Sequence, residues 1–147
     1  MMSALDKHDP VDSPRPFQWK LIFLLSLLIV LLCSIFGLSA DRVTSDHFWP
    51  VFITFSSTVL LVPAWVIGKR VRHHRFLHGL ITGLIGWNLG VFVMVFLMVA
   101  TQPLLAPHAP SDWGQGVGIG AMLLWLFGML TTPLIGFLAV QMGQWLE

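Results

Sequence analysis

Four long segments without a charged residue dominate this chain, at 21–40, 48–68, 79–109 and 113–146. An α-helix rises 1.5 Å per residue and the hydrocarbon core of a bilayer is about 30 Å thick, so about 20 apolar residues make one crossing. Each segment reaches that length. The segments therefore predict an all-α polytopic membrane protein, a bundle of four transmembrane helices made of two helical hairpins.

Composition argues against an ordinary soluble protein. Of the 147 residues, 56% are hydrophobic and 10% are charged, whereas soluble domains carry about 25% charged residues. The net charge of +1 gives no support to a nucleic-acid partner. The single cysteine, Cys33, excludes an internal disulfide and a cysteine metal cluster. We expect neither a metal nor another cofactor.

The predicted spans are 21–40, 48–68, 79–102 and 117–140, within one domain that covers residues 17–147. Residues 1–16 combine three aspartates with three prolines and predict a polar, mobile cytoplasmic tail. The short connection at 41–47 predicts a tight first hairpin. Alternating glycines at 114, 116, 118 and 120 favour an extended or loosely wound start of span four.

The distribution of basic residues predicts the orientation. Only Arg42 lies on one predicted side, and the other side holds Lys7, Arg15, Lys20, Lys69, Arg70, Arg72 and Arg75. Because cytoplasmic ends retain Lys and Arg, both termini and the 69–78 connection should be cytoplasmic. Tryptophans favour the headgroup level and fall near both membrane surfaces: Trp19, Trp65 and Trp145 inside, Trp49 and Trp113 outside. The compact form suits a bacterial inner membrane.

The basic connection itself predicts a contact with lipid. We expect four basic residues to set the topology and to attract anionic headgroups: Lys69, Arg70, Arg72 and Arg75. Each basic residue near an anionic membrane surface contributes about 1 kcal/mol to the binding free energy.

Small residues predict how the helices pack. Ser26, Cys33 and Gly37 share one face of span one, while Gly79, Gly83, Gly86 and Gly90 recur at steps of 4, 3 and 4 on span three. Small faces allow two backbones to approach closely in lipid. The matching periods make spans one and three natural partners, although one small face could instead bind a neighbouring protein. Glycines 120, 128 and 136 of span four do not form one stripe.

Asn88 is the most polar side chain within a predicted span and should face protein or trapped water. One interpretation is a hydrogen bond to Ser or Thr of span two or four. The other is a polar path, lined by Asn88, Thr54, Thr58, Thr131 and Thr132. Aromatic residues predict lipid-facing or partner-facing surfaces: Phe92, Phe96, Trp125 and Phe127.

Catalytic chemistry has little support. No Asp, Glu, Lys, Arg or His lies well inside a predicted span, which argues against proton-coupled exchange by this chain alone. The pairs Asp46 with His47 and His108 with Asp112 have no nucleophile or third group beside them, so we expect no enzyme. The favoured hypothesis is a non-catalytic accessory, assembly or stabilising subunit that acts through helix contacts with membrane proteins or with itself. The alternative is a small homo-oligomeric channel or permease for a small solute.

Overall fold

A computed structural model describes residues 17–40, 45–105 and 113–146 of the chain. They form four helices: α1 (Trp19–Ala40), α2 (Ser45–Arg70), α3 (Arg75–Leu105) and α4 (Trp113–Leu146). All four are long and apolar enough to span a membrane. The predicted all-helical, four-helix membrane bundle is confirmed. The tail at 1–16 lies outside the described residues and stays a prediction.

The second pair of helices is longer than predicted. Helix α3 begins at Arg75 and α4 already begins at Trp113, so the glycines at 114–120 lie within a helix. The expected extended start of α4 is therefore wrong. A helix satisfies its backbone N–H and C=O groups internally, and near a membrane this outweighs the entropic cost of glycine.

The helices are arranged in the order α1, α3, α4, α2 around the bundle. Helix α3 packs extensively on α1 and on α4, and α4 packs extensively on α2. Although α1 and α2 are consecutive, they make few contacts, so the first hairpin is looser than predicted. The difference follows from side-chain size, because glycines lie at the three close interfaces and phenylalanines lie between α1 and α2.

One end of the bundle gathers the start of α1, the 71–74 connection and the end of α4; we call it the basic end. Gly68 of α2 lies against the backbone of Gly143 of α4 there, and Gln18 contacts His78 of α3. Helices α1 and α3 consequently run parallel to each other, as do α2 and α4, whereas α3 and α4 are antiparallel. Trp19, Trp65 and Trp145 are exposed toward the basic end.

An aromatic cluster fills the middle of the bundle. Trp87 of α3 is fully buried and makes edge-to-face contacts with Phe55 of α2 and Phe127 of α4, both at 6.3 Å between ring centroids. Phe36 of α1 stacks on Phe55 at 4.4 Å, and Phe52 of α2 reaches both Phe36 and Phe127. The cluster joins all four helices. Phe127 was expected on the outer face, and that expectation is wrong, because the ring turns toward Trp87.

Candidate functional site

The small face of α1 lies against α3 in a parallel register. Ser26 Oγ donates a hydrogen bond to the Thr82 carbonyl at 3.2 Å, and Cys33 is buried against Gly90. Further along, Gly37 lies under the Met94 side chain. The steps of seven and four residues from Ser26 to Cys33 to Gly37 on α1 are matched by steps of eight and four on α3. The two helices thus pack in register over most of α1.

The glycine face of α3 contacts two helices rather than one. Gly86 and Gly90 lie against α1, where a methyl group added at Gly86 would be 2.7 Å from Ile29 Cδ1. Gly79 and Gly83 lie against α4, where a methyl group at Gly79 would be 2.6 Å from Gly136 Cα. Because the partner changes along one face, α3 crosses between α1 and α4. Close approach on both sides makes α3 the centre of the packing.

Three buried polar atoms in the described residues have no hydrogen-bond partner: Ser56 Oγ, Thr82 Oγ1 and Trp87 Nε1. Trp87 packs its ring on Gly128 of α4 as well as on the aromatic cluster. An unpaired polar group is costly in an apolar interior. Packing, rather than hydrogen bonding, therefore holds the Trp87 ring in place.

Asn88 occupies the middle of the Arg75–Thr101 span and faces outward from the bundle. Its Oδ1 accepts a 3.1 Å hydrogen bond from Trp125 Nε1 of α4, and its Nδ2 donates to the Leu84 carbonyl at 2.7 Å. The partner across the helices is thus a tryptophan, not the Ser or Thr expected from the sequence. Sequence reasoning missed this because Trp125 was expected only to provide an apolar surface.

The threonines expected beside Asn88 lie elsewhere. Thr131 and Thr132 are buried, and their hydroxyls donate to carbonyls one turn back on α4, Thr131 to Phe127 and Thr132 to Gly128. Thr54 and Thr58 line an open cleft of about 400 Å³ between α1 and α2, on the side of the bundle opposite the α3–α4 pair. Their hydroxyls also bond to their own helix. The five polar side chains are not brought together within one chain.

The four basic residues expected to contact lipid lie in and beside the 71–74 connection, and their surroundings differ. Lys69 Nζ lies 5.1 Å from the centre of the Trp65 ring. Arg75 Nε donates to the Val71 carbonyl at 2.6 Å, and its guanidinium covers Gly143. Arg70 and Arg72 are exposed and line a pocket together with His73, His74 and His78. These three histidines also lie within the 69–78 connection, which was expected to contact anionic headgroups.

The candidate enzyme pairs are only partly described. Asp46 and His47 lie in the first turn of α2 and are exposed. His108 and Asp112 lie outside the described part of the chain, as does the side chain of Trp113.

Comparisons with known protein families, with curated proteins and with solved structures find no match to this chain.

Proposed function

We propose that this chain is a non-catalytic integral membrane protein that acts through helix–helix contacts, as an accessory, assembly or stabilising subunit of a larger membrane complex. The observation that carries the proposal is Asn88, a polar side chain at mid-span on the outside of the bundle. Polar side chains within membranes almost always face protein or a water-filled cavity. A partner helix over this surface would provide that environment.

Asn88 keeps hydrogen-bonding capacity after its contacts within the chain. An amide has two N–H donors and an oxygen with two acceptor sites, and the bonds to Trp125 and Leu84 use one donor and one acceptor site. Hydrocarbon offers no partner for the rest. A Ser, Thr, Asn or Gln on a neighbouring transmembrane helix would, and such bonds contribute about 0.6–2 kcal/mol in membranes.

The surface around Asn88 is suited to helix packing. Leu89, Phe92 and Trp125 are exposed beside it or within one turn of it. Large side chains in this position supply van der Waals contact, which drives helix association in lipid along with hydrogen bonds. The interior offers no comparable surface, since the aromatic cluster occupies it.

The alternative is a homo-oligomeric channel or permease. Asn88 faces outward on one side of the bundle, and Thr54 and Thr58 line the cleft on the other. A polar path formed from these residues would therefore run between copies of the chain. This arrangement favours the oligomeric form of the alternative over a path through a single bundle.

Purification in a mild detergent, followed by mass analysis of the intact complexes, tests the proposal with Asn88→Leu. We expect the variant to lose a protein that co-purifies with the wild type. Thr54→Val is the matched control, because it removes another exposed polar group whose only hydrogen bond, to the Pro50 carbonyl, lies within its own helix. The control should retain the partner.

Two results would count against the accessory role. Retention of the same partners by Asn88→Leu would show that this surface is not the interface. A wild-type homo-oligomer that conducts a solute in liposomes, with flux lost in Asn88→Leu, would favour the channel.

A further inference from the structure

A pocket of about 310 Å³ lies at the basic end, where the start of α1 meets the connection between α2 and α3. It is lined by Phe17, Gln18, Arg70, Val71, Arg72, His73, His74 and His78. None of these eight residues is acidic. The pocket is therefore a concave, strongly basic site at one end of four membrane-spanning helices.

His78 forms a fixed wall of the pocket. Only 2% of its surface is exposed, and its Nε2 accepts a 3.2 Å hydrogen bond from the Gln18 backbone N–H. Because Nε2 accepts, Nδ1 carries the proton and donates it to the His74 carbonyl at 2.9 Å. Phe17 stacks on the imidazole with 4.0 Å between ring centroids. These contacts tie the start of α1 to the start of α3 and give the pocket its shape.

The arginines of the pocket, together with His73 and His74, have no side-chain partner among the described residues. Within the described residues, no hydrogen bond or ion pair engages the side chains of Arg70, Arg72, His73 or His74. Arg75 differs, because the Val71 carbonyl and Gly143 hold its guanidinium. Two guanidinium groups that are free to form paired N–H···O bonds therefore point to an oxyanion as the missing partner.

The surroundings favour a phosphate group in particular. The pocket lies at the N-terminus of α3, where the helix dipole stabilises negative charge. Its position at the end of the membrane spans corresponds to the headgroup level, and Phe17 and Val71 add apolar contacts beside the cations. A phospholipid headgroup and a free phosphate both have the required oxyanion.

We propose that this pocket is a specific phosphate-binding site, in which Arg70 and Arg72 hold the phosphate oxygens and His73 and His74 complete the ring of donors. The inference does not depend on the proposed helix contacts at Asn88. It also differs from general attraction of basic residues to an anionic surface, because it assigns binding to two arginines and not to Lys20 or Lys69, which lie outside the pocket.

Native mass spectrometry of the full-length protein, released from a neutral detergent, tests the site. One arm titrates phosphatidylglycerol and the other titrates inorganic phosphate. We expect saturable binding of one anion per chain, weakened at least about tenfold in Arg70→Gln/Arg72→Gln, since charge-assisted hydrogen bonds are lost. Lys20→Gln/Lys69→Gln removes the same charge from the same end and should bind as the wild type does.

The two arms identify the source of the phosphate. Binding of phosphatidylglycerol alone assigns a lipid headgroup, and binding of inorganic phosphate with the same dependence on the arginines assigns the free ion. The proposed phosphate site would be overturned if both double variants weakened anion binding equally, or if the wild type showed no saturable binding in either arm. If Arg70→Gln/Arg72→Gln does not fold, His73→Gln replaces it, and unchanged binding in that variant would count against the assignment.

Discussion

Gly79 of α3 and Gly136 of α4 lie where the backbones of these two helices approach each other closely. A methyl group there would lie 2.6 Å from Cα and 2.7 Å from N of Gly136. Backbone atoms of a packed helix cannot rotate away as a side chain can. The contact therefore requires glycine, and the whole helix would have to shift to accommodate any larger residue.

We expect Gly79→Ala to destabilise the bundle by about 1–3 kcal/mol, because over-packing a close interface strains it. Gly120→Ala is the matched control, since nothing lies within 4 Å of a methyl group at that position. Its higher helix propensity should leave stability unchanged or raise it by up to about 1 kcal/mol. Equilibrium unfolding in mixed micelles measures the free energy of unfolding of both variants. Equal tolerance of the two substitutions would contradict a close α3–α4 contact at Gly79.

Trp87 has the opposite role to Gly79, because its large ring occupies a space where the helices lie further apart. Its ring packs on Gly128 and meets Phe55 and Phe127. Where α1 and α2 diverge, the aromatic rings replace the close backbone contact that glycine provides elsewhere. The unpaired Nε1–H is a cost that the packing of this large ring offsets.

At the scale of the helices, the parallel pairing of α1 and α3 is the contact most open to direct test. A Cβ atom at position 90 would lie 2.9 Å from Cys33 Sγ and 3.2 Å from Cys33 Cβ. The Cβ–Cβ distance is slightly shorter than in a disulfide, where the two Cβ atoms lie about 3.5–4.5 Å apart. A small adjustment of either helix would bring the two into range.

Gly90→Cys should therefore form an intramolecular disulfide with Cys33 when the membranes are treated with iodine. Cys33 is the only native cysteine, so the loss of two reactive thiols reports this pair alone. Gly86→Cys is the control, because position 86 faces Ile29 instead. Alkylation of the free thiols before and after reduction, followed by mass measurement, shows in which of the two variants a disulfide has formed. Cross-linking of Gly86→Cys but not of Gly90→Cys would place the helices in a different register.

The sequence predicts the pairing of α1 and α3 but not the neighbours of each residue. Matching steps of three and four residues show which side chains share a face, so Cys33 and Gly90 could be expected near each other. They do not show that Gly79 faces α4, because a helix crossing between two others changes partner along one face. Phe127 and Trp125 illustrate the same limit, since only the tertiary arrangement decides which of two nearby aromatics turns inward.

The basic residues show how much further the structure narrows a candidate site. Composition and topology treat Lys69, Arg70, Arg72 and Arg75 alike. In the folded chain, Arg75 bonds to Val71 of the connection and covers Gly143 of α4, and Lys69 lies over Trp65, which leaves Arg70 and Arg72 for the pocket. His73 and His74 of the pocket belong to the 71–74 connection, which turns at His74, whose φ of 57° lies in the left-handed region.

For the whole molecule, the proposed functions lie on the outside and at one end of the bundle. The mid-span surface around Asn88 offers contacts to another helix, and the basic end offers a pocket to an anion. Both assume that lipid surrounds the four spans, and the expected orientation places the basic end in the cytoplasm. This orientation rests on the distribution of Lys and Arg along the sequence.

Cysteine labelling in intact bacterial cells tests this membrane arrangement most directly. An impermeant maleimide should label Pro110→Cys from outside, whereas Arg72→Cys should react only after the inner membrane is permeabilised; native Cys33 is buried and should stay unlabelled. Labelling of Arg72→Cys from outside, with Pro110→Cys protected, would reverse the orientation. Labelling of both positions from the same side would contradict the four-span arrangement itself.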